Sequence, residues 1–181
     1  MKFLIFLIFS LSAHMLISGN LSEAKLGRIQ VSGSGCQYGR SFANLSRDAS
    51  NIDLSVSNFQ ANKSQNRARC EIGVPIHVPR GFQVSINKAV YKGQNNLGAR
   101  SSANLQIQHF FGRNRTSFNK NFKGRLNQRF QLQDTSLSRK LAWSSCGRNV
   151  DLQINARLRT ERQGSSKAHA FSYQLAWRRC R

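Results

Sequence analysis

Arg69 to Ile86 reads RCEIGVPIHVPRGFQVSI, and its alternation decides the fold class. Cys70, Ile72, Val74, Ile76 and Val78 are apolar at every second position, with Arg69, Glu71, Gly73 and His77 among the residues between them. A side-chain period of two is that of a strand with one buried face and one wet face. Pro79 and Gly81 flank a turn, after which Phe82, Val84 and Ile86 resume the alternation. The same period runs through Ile52, Leu54 and Val56, and through Leu105, Ile107 and Phe111. It returns in Val150, Leu152, Ile154, Ala156 and Leu158, and again in Phe171, Tyr173, Leu175 and Trp177.

Phe118, Phe122, Leu126, Phe130 and Leu132 keep one parity over a stretch too long for a typical strand, so a bend or hairpin is expected at Gly124. The serine- and asparagine-rich stretches 57–66, 93–104 and 161–168 read as surface loops. No window carries a helical period. Short, evenly spaced strands predict an all-β domain, an antiparallel β-sandwich or jelly roll.

The chain opens with Met1 and Lys2, followed by FLIFLIFSLSAHMLI from Phe3 to Ile17. Ser22 and Ala24 then occupy the small-residue positions of a cleavage site before Lys25. This is the layout of a signal peptide over residues 1–24, too short and too interrupted for a spanning helix. Residues 25–181 are expected to form one secreted or periplasmic domain with no later transmembrane segment. Removal of Lys2 and Glu23 with the leader leaves 27 basic and 6 acidic side chains, still +21. Cys36, Cys70, Cys146 and Cys180 all lie in that domain, and export with an even count argues for two disulfides. Three pairings are open. Cys36–Cys70 with Cys146–Cys180 is favoured because each closes a short loop within one half of the chain. No close pair such as C-x-x-C suggests zinc.

Several segments carry a family resemblance: GSGC at Gly33–Cys36, IDLSVSNFQA at Ile52–Ala61, the stretch from Arg69 to Ile86, VYKG at Val90–Gly93, WSSCG at Trp143–Gly147, and QLAWRRC at Gln174–Cys180. Together they make the chain resemble the secreted proteins of the domain of unknown function 4360 family over nearly the whole mature part. Gln37 departs from it, standing where the resemblance leads one to expect proline. The resemblance implies export, two disulfides and a β-rich fold, and it brings no activity.

Catalytic chemistry finds little support. His77, His109 and His169 each stand singly, and there is no G-x-S-x-G elbow. Only Asp48, Asp53, Glu71, Asp134, Asp151 and Glu161 could supply paired carboxylates. Asp53, Glu71 and Asp151 fall on faces away from the apolar one, in keeping with local charge balance. Gly33 and Gly35 lack the lysine and helix of a phosphate loop and instead suit a tight turn bringing Cys36 to its partner. No catalytic residue, metal site or cofactor is assigned.

The basic side chains carry the functional content. By parity, Lys123, Arg125 and Arg129 share the face opposite Phe122, Leu126 and Phe130, while Arg157 and Arg159 lie opposite Ile154, Ala156 and Leu158. Arg113 and Arg115 lead into the first group, and Arg178, Arg179 and Arg181 cluster at the C-terminus. Arginine's planar fork suits phosphate and carboxylate oxygens. Aromatics do not interleave with these arginines on one face, so non-specific contact is expected and sequence-specific nucleic-acid recognition is not. The expectation is an exported, basic β-sandwich that binds an anionic polymer or membrane surface. The alternatives are an extracellular hydrolase, marked by a cleft where histidine and acid converge, or a structural envelope component. Asn44, Asn62 and Asn114 begin glycosylation sequons that matter only in a eukaryotic host.

Overall fold

The computed structural model describes residues 20–37, 39–139 and 141–180. Most of the expected signal peptide, residues 1–19, and Arg181 of the C-terminal cluster lie outside them. The strands in chain order are β1 (Lys25–Leu26), β2 (Gln30–Ser32), β3 (Phe42–Leu45), β4 (Asn51–Ser55), β5 (Gln60–Ala61) and β6 (Arg67–His77). They continue with β7 (Phe82–Leu97), β8 (Ser102–Phe111), β9 (Asn114–Lys123), β10 (Leu126–Asp134), β11 (Val150–Glu161) and β12 (Gly164–Arg179). A single helical turn, α1 (Ser136–Arg139), follows β10.

These strands form two antiparallel sheets. The first has the order β1-β6-β11-β8-β9, with β2 also paired to β6. The second has the order β10-β7-β12-β4-β3, with β5 also paired to β12. The alternating residues explain the layering. Ile72, Val74 and Ile76 of β6, Leu105 and Ile107 of β8, and Leu152, Ile154 and Leu158 of β11 are buried on the inner face of the first sheet. Tyr91 of β7 and Phe171 and Tyr173 of β12 answer them from the second. Each such side chain contributes roughly 1.5–3 kcal/mol by leaving water. Tyr91 packs edge-on to Phe171 at 5.6 Å and against Phe118 of β9 at 5.0 Å, so the aromatic centre joins the two layers.

The two turns read from glycine are both present and both change sheets. Gly81 (φ +79°) sits between β6 and β7, and Gly124 (φ +80°) between β9 and β10. The expected loops are shorter than their composition suggests. β7 runs to Leu97, β8 starts at Ser102, and β12 starts at Gly164. Polar residues keep the strand because they are paired within the core: Ser166 Oγ donates to Asn95 Oδ1 at 2.7 Å, both side chains being buried. Gly93 is required where it stands, since a Cβ there would collide with the Phe130 ring and the Lys167 carbonyl.

Both disulfides are those favoured above, Cys36–Cys70 and Cys146–Cys180, with Cα separations of 5.2 and 5.8 Å. Gly33 (φ +115°) makes the turn that delivers Cys36, and a Cβ at Gly33 would strike the Arg69 carbonyl. Gly35 closes the same turn by donating its N–H to Arg69 O at 2.8 Å. Each bridge stabilises the fold by about 3 kcal/mol through the unfolded state. The second bridge pins residues 143–147 along the free edge of β7, where Ser144 N–H donates to Val84 O at 2.9 Å and Gly147 N–H to Phe82 O at 2.9 Å.

Candidate anion-binding face

The outer face of the first sheet is polar, and strand register sorts it into rows. Arg67 on β6 lies opposite Arg159 on β11, which lies opposite Asn104 on β8, which lies opposite Asn121 on β9. The next row reads Arg69, Arg157, Gln106 and Asn119 over the same four strands. Two arginines followed by two amides therefore repeat in adjacent rows. Directly opposed like charges destabilise a sheet, yet two such pairs stand side by side. Arg159 is offset by Glu161 at 3.3 Å. Arg67, Arg69 and Arg157 have no acidic partner among the described residues. Glu71 lies one row on, where Ser32 Oγ donates to its carboxylate at 3.3 Å. The amides are pre-oriented: Asn104 Nδ2 donates to Asn119 Oδ1 at 2.6 Å and to Asn121 Oδ1 at 2.5 Å.

The structure divides the arginines and lysine that parity had grouped. Lys123 ends β9 on the first sheet, opposite Ser102. Arg125 lies in the bend beside Gly124, and Arg129 is on β10 in the second sheet. The expectation of one shared face fails because the chain changes sheets at Gly124, and parity along a sequence does not survive such a crossing. Arg129 instead shares a row with Gln94 and Lys167 on the opposite side of the sandwich. Arg113 lies in the β8–β9 turn.

Aromatics do meet arginines, contrary to the sequence expectation. Arg115 lies over Phe110 at 5.4 Å, Arg178 over Trp143 at 4.1 Å, and Arg179 over Phe82 at 5.1 Å. The ring in each case comes from a different strand or loop, which a single-strand reading does not see. Such contacts set each guanidinium against an aromatic ring, where the ring's electrons attract the cation. Arg178 is further oriented by donating from Nε to Gln83 Oε1 at 3.0 Å.

Among the described residues, histidine and acid meet at His109 and Asp134, and both are sealed in the core. His109, 1% exposed, projects inward from β8, and Asp134, 2% exposed, projects inward from β10. The Tyr91 hydroxyl links them, donating to Asp134 Oδ2 at 3.2 Å and lying 2.9 Å from His109 Nε2. That donation leaves the hydroxyl oxygen to accept from His109 Nε2–H, so Nδ1 is the acceptor for the Thr116 hydroxyl at 3.3 Å. Burial holds the imidazole down to about 4, consistent with this neutral tautomer, while the nearby Asp134 opposes the shift. Burial also raises Tyr91 and Tyr173 well above the usual phenol range. Ser136 completes the network, its N–H and hydroxyl both donating to Asp134 Oδ1. The cavity beside His109 holds about 20 Å³, room for one water and no substrate. This is a core polar network, not a cleft. Its signal was legible: His109 has the parity of Leu105, Ile107 and Phe111, and Asp134 that of Phe130 and Leu132.

Residues 22–180 match the family described as Domain of unknown function (DUF4360). The chain belongs to this family. It is 30% identical over 139 residues to an uncharacterized secreted protein of Arthroderma benhamiae, over 72% of this chain and 57% of that relative. The family member described here thus spans little more than half the length of the fungal protein. With its two disulfides, it is a secreted protein. Among solved structures it is similar to TmCBM61 in complex with beta-1,4-galactotriose, at 12% identity and a TM-score of 0.36 over 84% of this chain and 88% of that one. It is also similar to a structure described as CBM4 structure and function, at 14% identity and a TM-score of 0.22 over 84% and 86% of the two chains. Nothing about ligand or activity passes from these to this chain.

Proposed function

We propose that this secreted protein, once residues 1–24 are removed, is a binding protein whose first-sheet face holds an acidic polysaccharide. The observation that carries this is the pair of arginine rows, Arg67 with Arg159 and Arg69 with Arg157, set beside amides on the neighbouring strands. Guanidinium forks suit carboxylate and sulfate oxygens. The amides beside them suit the hydroxyls that such polymers carry between charges. A nucleic acid would instead favour open aromatic platforms for its bases, and the rings found near arginine here are covered by it.

Binding of this kind is electrostatic and should weaken steeply with salt. The test is equilibrium binding of the mature protein to heparin, anionic vesicles and single-stranded DNA across a salt series. Tight heparin binding at low salt that collapses at high salt is expected. Absence of heparin binding at low salt, or binding indifferent to salt, would overturn the proposal. A preference for vesicles or DNA would replace the polysaccharide by that partner.

A further inference from the structure

A second cationic groove lies on the opposite side of the sandwich. Lys167 of β12, Gln94 of β7 and Arg129 of β10 form one row across the outer face of the second sheet. Lys92 stands in the next row, opposite Gln131. The register of β12 shifts between Ala168 and Ala170, which leaves His169 as the bulged residue beside that row. Lys92, Gln94, Arg129, Gln131 and His169 line a groove of about 550 Å³ together with Gly93 and Phe130. No acid lines it. Partial burial, then Lys167, Arg129 and Lys92, hold the His169 imidazole below its usual range, so three cations converge on this groove. Asp53 stands on β4, opposite Ser172 farther along β12, and accepts from Ser172 Oγ at 2.5 Å.

The two cationic surfaces point away from each other, because the inner faces of both sheets fill the core. Packed sheets stand about 10 Å apart, so a short anionic chain on one face cannot reach the other. We propose that the protein is bivalent, holding one acidic polysaccharide chain on the arginine rows of the first sheet and a second in the groove of the second sheet. It would then cross-link chains as well as coat them. This rests on the polysaccharide reading above, and the test separates the two.

Mature protein is loaded onto a heparin-coated surface, and capture of a short fluorescent heparin oligosaccharide from solution is measured. Two variants are compared at matched loading. One replaces Arg67, Arg69, Arg157 and Arg159 with Gln; the other replaces Lys92, Arg129 and Lys167 with Gln. Unaltered protein should capture the second chain. Each variant should still load through its intact face while capture falls about tenfold or more, since a single face cannot serve two chains. Failure of the unaltered protein to load overturns the polysaccharide reading itself. Loading without capture leaves that reading standing and overturns bivalency. Capture by either variant equal to that of unaltered protein also overturns bivalency, since it would mean one face acting through self-association.

Discussion

His109 is where a single residue sets a measurable property of the whole fold. Its imidazole is neutral in the core and titrates near 4, while in the unfolded chain it titrates near its ordinary 6.5. Between those values the unfolded state binds the extra proton, so acidification favours unfolding. The stability that depends on a neutral His109 is intact above about pH 6.5 and is lost as pH falls towards 4, on the order of 3 kcal/mol. His169 acts in the same direction from a more open site. Urea midpoints measured from pH 7 to pH 4.5 should fall for the unaltered protein and fall less for His109→Gln. Parallel declines would contradict the assignment of the network. The position of His109 in the core was readable from its parity with Leu105 and Ile107. Its partners were not, because Tyr91 and Asp134 come from the other sheet and no local spacing records that.

Register decides function at the scale of the element. Arg69 and Arg157 are 88 residues apart in sequence and become opposite neighbours only when β6 pairs with β11. A sequence reading could place Arg157 and Arg159 on a solvent face, and it did. It could not place Arg67 and Arg69 beside them, nor separate Lys123 from Arg129 across the Gly124 crossing. The opposed arginines predict a trade-off. Arg157→Gln should raise stability by roughly 0.2–0.5 kcal/mol at low salt by relieving like-charge repulsion, and the gain should shrink as salt screens it. The same substitution should weaken heparin binding. A loss of stability on replacing Arg157 would argue that the pair is structural. Gly93 provides the contrast. Gly93→Ala crowds Phe130 and the Lys167 backbone and should cost about 1–3 kcal/mol by overpacking, with heparin binding through the first sheet unchanged in the folded fraction.

For the whole molecule, the sandwich, its two bridges and its export follow from alternation, cysteine count and the family to which the chain belongs. Charge distribution does not follow in the same way. A net charge of +21 is a bulk quantity, and two sheets folded back to back place part of it on two opposite faces. The central claim is that placement, and not bulk charge, makes the binding face. It is tested by comparing two variants of equal net charge. One carries Gln at Arg67, Arg69, Arg157 and Arg159; the other carries Gln at Arg40, Arg47, Arg80 and Arg100, which are exposed outside the strands. The logarithm of heparin affinity is measured against the logarithm of salt for both. The first variant should bind more weakly with a shallower slope, because fewer counterions are released on contact, while the second stays close to the unaltered protein. Equal losses in both variants would show that bulk charge alone governs binding and would contradict the account.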